Sequence, residues 1–225
     1  MSNSREKYSN NFKSAQRGFS LLELMLVVVI LTVIVAIVVR GAIQLQRKAS
    51  TETAKVDLTQ EARQFMDQVV KDLHHTGFPN VRMFDAATSA ANPNSYAVGL
   101  VSVTSNSIQF EGDVDGSGTV SEIFVQLNPP AGPCPCTLRR GSLSKAVYAG
   151  GGVPLYFTEV DNVMNTNIFT AYFFDGTSVV LPASAADLPN IKTIGLTVNL
   201  RSTLLDQTDR SYSNITMATE AKINN

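Results

Sequence analysis

Arg17-Gly18-Phe19-Ser20-Leu21-Leu22-Glu23-Leu24 opens an apolar run that continues almost unbroken to Val39. From Phe19 to Val39 there are 21 residues, which as a helix rising about 1.5 Å per residue span about 31 Å, the thickness of a bilayer's hydrocarbon core. The segment therefore predicts a helix that crosses a membrane once. Ahead of it stand Arg5, Lys7, Lys13 and Arg17 against Glu6 alone, an imbalance that holds an N-terminus on the cytoplasmic side. A secretory signal shares the basic start but has a shorter apolar core that ends in a small-residue cleavage site; this run is longer and ends in Val39-Arg40-Gly41.

Glu23 is the anomaly. A charged carboxylate among apolar residues costs roughly 2.5–3.5 kcal/mol at mid-bilayer and less toward the edge, so it calls for a partner or a role. Its simplest use is to complement the dipole at the start of the helix. A second use is to meet a cation from a neighbouring helix at the membrane edge.

Gly18-Phe19 with Glu23 in register resembles the cleavage and methylation signal of type IV prepilins. That resemblance implies that a prepilin peptidase cuts after Gly18 and methylates the new N-terminus, Phe19, and that Glu23 guides docking between subunits. It also implies partners: the peptidase, other pilins or pseudopilins, and the inner-membrane assembly platform. The expected location is the bacterial inner membrane, single-pass with the remaining chain periplasmic, and then a periplasmic or extracellular filament.

The rest of the composition is plain: 225 residues, net charge −1, 44% hydrophobic, no tryptophan. Beyond the leader no basic patch offers the footprint that phosphate binding needs, so nucleic acid is not an expected partner. No nucleophile elbow, phosphate-cradling glycine loop or HExxH zinc motif occurs, and no enzyme is expected.

Past Arg40 the pattern turns amphipathic. Ile43, Ala54, Leu58, Phe65, Met66, Val69 and Leu73 recur at three- to four-residue steps, the signature of a helix with one face covered. Thr76-Gly77-Phe78-Pro79 stops it, giving one helix of some 55 residues, far beyond ordinary globular length. Residues 85–95 are small and polar and read as a loop. Strands are expected over 96–103, 107–110 and 120–127, and 168–174 with 178–181 read as a hairpin turning at Asp175-Gly176. Ile194, Leu196, Val198 and Leu200, then Ile215, Met217, Ala221 and Ile223, mark two half-buried antiparallel strands.

The expected fold is α+β, a long helix whose second half packs on an antiparallel sheet. Its divisions are a leader over 1–18, a membrane or filament-core half-helix over 19–39, an amphipathic half over 40–77 and a β-rich head over 78–225. This also looks like the pilin architecture. Within that family the helix end Asp72-Leu73-His74-His75-Thr76-Gly77-Phe78 and the tail from Ala218 to Asn225 most resemble W-type minor pilins and the J-type pseudopilins of type II secretion. The expected role is a structural filament subunit, at the tip or in priming. The alternatives are a filament-displayed module that binds a surface or secreted substrate, and a membrane-anchored periplasmic protein that never assembles.

Two further clusters need weighing. Asp113-Val114-Asp115-Gly116-Ser117-Gly118 matches the opening of a calcium loop: Asp113, Asp115 and Ser117 can supply oxygens, Gly118 the turn and Thr119 a carbonyl. The twelfth position is then Phe124, with Glu122 two residues early, and the alternative is a hairpin turn chosen for backbone freedom. No cofactor is expected unless this loop takes calcium. Cys134 and Cys136, in Pro133-Cys134-Pro135-Cys136, admit a small local bridge, two free thiols, or half of a tetrahedral metal set.

Overall fold

The computed structural model describes residues 18, 20–205 and 210–223. It divides into two compact units, 1–47 and 48–225. Helix α1 (Leu21–His74) runs through both as a single element of 54 residues.

From Leu21 to Val39 α1 is apolar on every side apart from Glu23 and Thr32. Every described residue from Leu21 to Val39 is exposed. Water is a poor solvent for such a surface, and the length suits a membrane span. The hydroxyl of Thr32 donates to the carbonyl of Val28 at 2.7 Å, so the one hydroxyl within the run is satisfied inside the helix, as hydrocarbon requires.

The second unit holds α1 from Lys48 onward and an eight-stranded antiparallel sheet. Its strands are β1 (Leu100–Val103), β2 (Ser107–Gly112), β3 (Ser121–Asn128), β4 (Cys136–Ser144), β5 (Leu155–Val163), β6 (Phe169–Phe173), β7 (Ile191–Leu205) and β8 (Tyr212–Lys222). They lie in the order β1-β2-β3-β4-β5-β7-β6, with β8 also paired to β7. Two short helices accompany them, α2 (Ala86–Ala91) ahead of β1 and α3 (Lys145–Ala149) between β4 and β5.

The expected stripe on α1 is the covered one from Leu58 onward: Leu58, Phe65, Met66, Val69 and Leu73 are buried, joined by Ala62. Ile43, assigned to the same stripe, is 43% exposed, because coverage of α1 starts only at Thr51. Helix residues from Ala62 to Leu73 share one core with Phe110, Ile123, Val125, Leu138, Ile194 and Leu196. Each large side chain buried there contributes about 1.5–3 kcal/mol.

Several sequence expectations need correction. Residues 86–91 form α2 where a loop was expected; the Asp85 carboxylate accepts from the Thr88 amide at 2.8 Å and the Thr88 hydroxyl at 2.7 Å, an N-cap that organises a short alanine-rich turn. Residues 175–177 do turn tightly, with Gly176 at φ +83°. The chain does return along β6, through the antiparallel bridge of Tyr172 with Ser178 and bonds from the Phe173 amide to the Thr177 carbonyl and the Val179 amide to the Ala171 carbonyl, but the arm is too short to form a strand and β6 takes β7 as its ladder partner. Strands β4 and β5 were not expected at all, as their polar and glycine positions blur the alternation.

The end of α1 is locked to the sheet at two places. Gly77, at φ +77°, turns the chain out of the helix, after which its amide donates to the Glu111 carbonyl at 2.9 Å and the Asp113 amide donates to the Phe78 carbonyl at 2.8 Å. The backbones approach so closely that a Cβ on Gly112 would run into the carbonyl of His75. One turn earlier, Asp72 is fully buried. Its Oδ2 accepts from Arg140 Nη2 at 2.7 Å and Nε at 2.8 Å, while Oδ1 accepts from Gln68 Nε2 at 2.7 Å. Burial still pushes the Asp72 carboxyl above the usual range, against the pull of Arg140 and Gln68.

Removing one partner of a buried pair leaves the other uncompensated. Asp72→Ala is expected to destabilise the β-rich unit by about 3–5 kcal/mol, and Asp72→Leu combined with Arg140→Met to cost much less than the two single changes together. Urea unfolding of the detergent-solubilised chain, followed by circular dichroism, measures both.

Candidate functional site

The N-terminal segment is built by a helix start. The amides of Glu23 and Leu24 donate to the Ser20 carbonyl at 3.0 and 3.1 Å, placing Glu23 in the first turn of α1. Its side chain is exposed, and it is the one ionisable residue between Ser20 and Val39. Among the described residues no ion pair involves it. Gly18 is exposed, with open space where a Cβ would stand. Phe19, the expected methylation site, and residues 1–17 lie outside the described residues.

A family model described as the prokaryotic N-terminal methylation motif matches residues 13–39. No curated protein matches the chain. The chain carries a type IV pilin-like prepilin signal, and it follows that signal with an apolar helix long enough to cross a membrane.

The residues considered for calcium fall in two places. Asp113, Asp115, Ser117 and Thr119 belong to the turn between β2 and β3, bent by Gly116 at φ +70° and Gly118 at φ +78°. Asp113 Oδ2 accepts from the Gly118 amide at 2.9 Å, Asp115 Oδ1 from the Ser117 amide at 3.0 Å and Ser117 Oγ from the Thr119 amide at 3.2 Å. The hydroxyl and amide of Ser117 hold the exposed Asp115 carboxyl below its ordinary range. Glu122 is drawn elsewhere. It lies on β3, opposite Glu111 on β2, and its Oε2 accepts from Gln109 Nε2 at 3.0 Å. Among the described residues no three of His, Cys, Asp and Glu converge on one point.

Sequence reasoning missed the cluster that Glu122 does join. Glu111 and Glu122 face each other, both buried, an arrangement that is destabilising when both are charged. Lys145, at the start of α3, relieves half of it: its Nζ donates to Glu111 Oε2 at 2.7 Å and to the Tyr96 carbonyl at 3.0 Å, and lies 5.1 Å from the centre of the Tyr96 ring. The Val98 amide adds a bond to Glu111 at 2.8 Å. Burial, opposed by Gln109 and reinforced by the adjacent Glu111, pushes Glu122 up to about 7. The alternation of 120–127 placed Glu122 on a strand, but nothing local to it announced Glu111 or Lys145 as neighbours.

Cys134 and Cys136 are joined by a disulfide, with Cα atoms 4.5 Å apart. Cys136 is buried at the start of β4 and Cys134 packs partly against the core. The bridge sits beside the proline-rich loop, which Asn106 also anchors by donating to the Pro130 carbonyl at 2.8 Å.

Glu122 gives a pH signature. Its folded pKa lies above the unfolded value, so the native state holds an extra proton between about pH 4.5 and 7. Its contribution is complete at the acid end of that window and lost as pH rises through 7. The chain is expected to be more stable at pH 5 than at pH 8, on the order of 2 kcal/mol from this group. Glu122→Gln keeps the shape without the charge and flattens that slope; chemical denaturation across the window tests it.

Proposed function

We propose that this chain is a minor pilin or pseudopilin, a structural subunit that a prepilin peptidase processes and that enters a type IV pilus-like filament. In this reading residues 1–18 stay on the cytoplasmic face until cleavage after Gly18 frees and methylates the amine of Phe19. The β-rich unit lies on the opposite face. Association of the apolar half of α1 with like helices then places Glu23 of one subunit near the N-terminal cation of another. A pair made in low dielectric is costly to leave half-made, so the carboxylate favours helices that pack in one register over helices that merely cluster.

The observation that carries this reading is the single carboxylate in the first turn of an otherwise apolar exposed helix, in register with Gly18 and inside the matched motif. A dipole-complementing glutamate fits the helix start equally well, and the two roles separate in a variant. Mass spectrometry of the chain from membranes containing an active prepilin peptidase is expected to find N-methyl-Phe19. Glu23→Ala is expected to give the same mature N-terminus but at least a tenfold loss from sheared filament or pilin-complex fractions. Normal incorporation of that variant would remove the pairing role, and an uncleaved chain would remove the filament reading altogether.

A further inference from the structure

The turn between β2 and β3 leaves one of its carboxylates unfinished. Asp113 is only 6% exposed. One of its oxygens, Oδ2, is engaged by the Gly118 amide inside the turn, which fixes the carboxylate toward the loop. The other, Oδ1, is buried with no hydrogen-bond donor. Asp115 follows two residues on in the same turn, and no lysine or arginine among the described residues forms an ion pair with either. A buried carboxylate oxygen without a donor is expensive, and a second carboxylate beside it makes it more so.

A hard cation would satisfy both groups at once. Asp113, Asp115 and Ser117 take the first, third and fifth positions of a calcium loop, with Gly118 supplying the sharp turn at the sixth. The amide bonds from Gly118 to Asp113 and from Ser117 to Asp115 hold the loop in that shape while leaving one oxygen of each carboxylate for a ligand. From these contacts we propose that the β2–β3 turn binds one calcium ion through Asp113, Asp115 and Ser117, with backbone carbonyls and water completing the shell.

Glu122 takes no part, being held by Gln109 and set against Glu111. With two carboxylates and no bidentate glutamate, the site belongs to the weak class, with Kd on the order of 0.1–1 mM. Magnesium demands a near-ideal octahedron and gives up water reluctantly, which a short mixed set on a glycine turn does not offer. Binding would tie together the ends of β2 and β3 where the chain leaving α1 is docked, so its readout is thermal stability as well as heat.

The test uses the full chain in detergent, stripped with a chelator and titrated with calcium chloride by calorimetry. One saturable site is expected, with Tm raised by about 3–6 °C at ten times Kd. Asp115→Asn, on an exposed side chain, is expected to weaken calcium binding at least tenfold while leaving the metal-free Tm within about 1 °C. Absence of both saturable heat and a Tm shift at about 5 mM calcium, equal binding by the Asp115→Asn chain, or an equal response to magnesium would each overturn the assignment. Asp113→Asn should abolish binding, and if that chain fails to fold, the Asp115 variant decides.

Discussion

The contact on which the β-rich unit depends is the one between Asp72, near the end of α1, and Arg140 in the middle of β4. A helix can bury Phe65, Met66, Val69 and Leu73 against a sheet in several registers of nearly equal apolar area, since the hydrophobic effect is not directional. A buried carboxylate admits few. Two nitrogens of Arg140 and one of Gln68 must reach Asp72 together, and the backbones must close at Gly112, where a side chain would strike the His75 carbonyl. Apolar burial drives the helix onto the sheet, while the ion pair and the glycine contact select where it stops.

Five acidic residues, Asp72, Glu111, Glu122, Asp113 and Glu23, show one cost met in different ways. Asp72 is matched by a planar cation of fixed geometry. Glu111 is matched by Lys145 and a backbone amide, and Glu122 opposite it by the side-chain amide of Gln109. Asp113 is matched on one oxygen only. Glu23 differs from all of these because its surroundings in the isolated chain are open, so the cost arises only when the apolar half of α1 enters lipid or packs with other helices. A charge matched inside its own chain serves folding. Under the filament reading proposed above, the match for Glu23 comes from a second subunit.

Those features were unequally legible in the amino-acid sequence. The 3.6-residue stripe and the glycine-proline stop are local patterns, and they gave α1 to within a few residues of its ends. Ile194 to Leu200 alternate strictly because β7 is half-buried along its length, and that strand too was plain. β4 was hidden by Arg139-Arg140-Gly141, three residues that look like a turn; Arg140 is there to meet a helix 68 residues earlier in the chain. The loop at 113–118 could be recognised as an oxygen-rich turn, but only the fold withdraws Glu122 and buries Asp113. The prepilin-type segment was the most readable stretch of all, since its meaning lies in the spacing of Gly18, Phe19 and Glu23 and not in tertiary contacts.

The position of β7 sets a timetable. Ile191, Ile194 and Leu196 lie in the core with the helix residues, yet Ile191 follows Leu73 by 118 residues. At a synthesis rate of 5–20 residues per second that is roughly 6–24 seconds. Throughout it the amphipathic half of α1 has been made while a central strand of its covering sheet has not. Contacts of such long range also form slowly once the chain is complete. The nascent helix thus passes through a period with Phe65, Met66 and Val69 uncovered, when a chaperone or the membrane surface is the natural temporary cover, and delay in finishing the sheet becomes a hazard of aggregation.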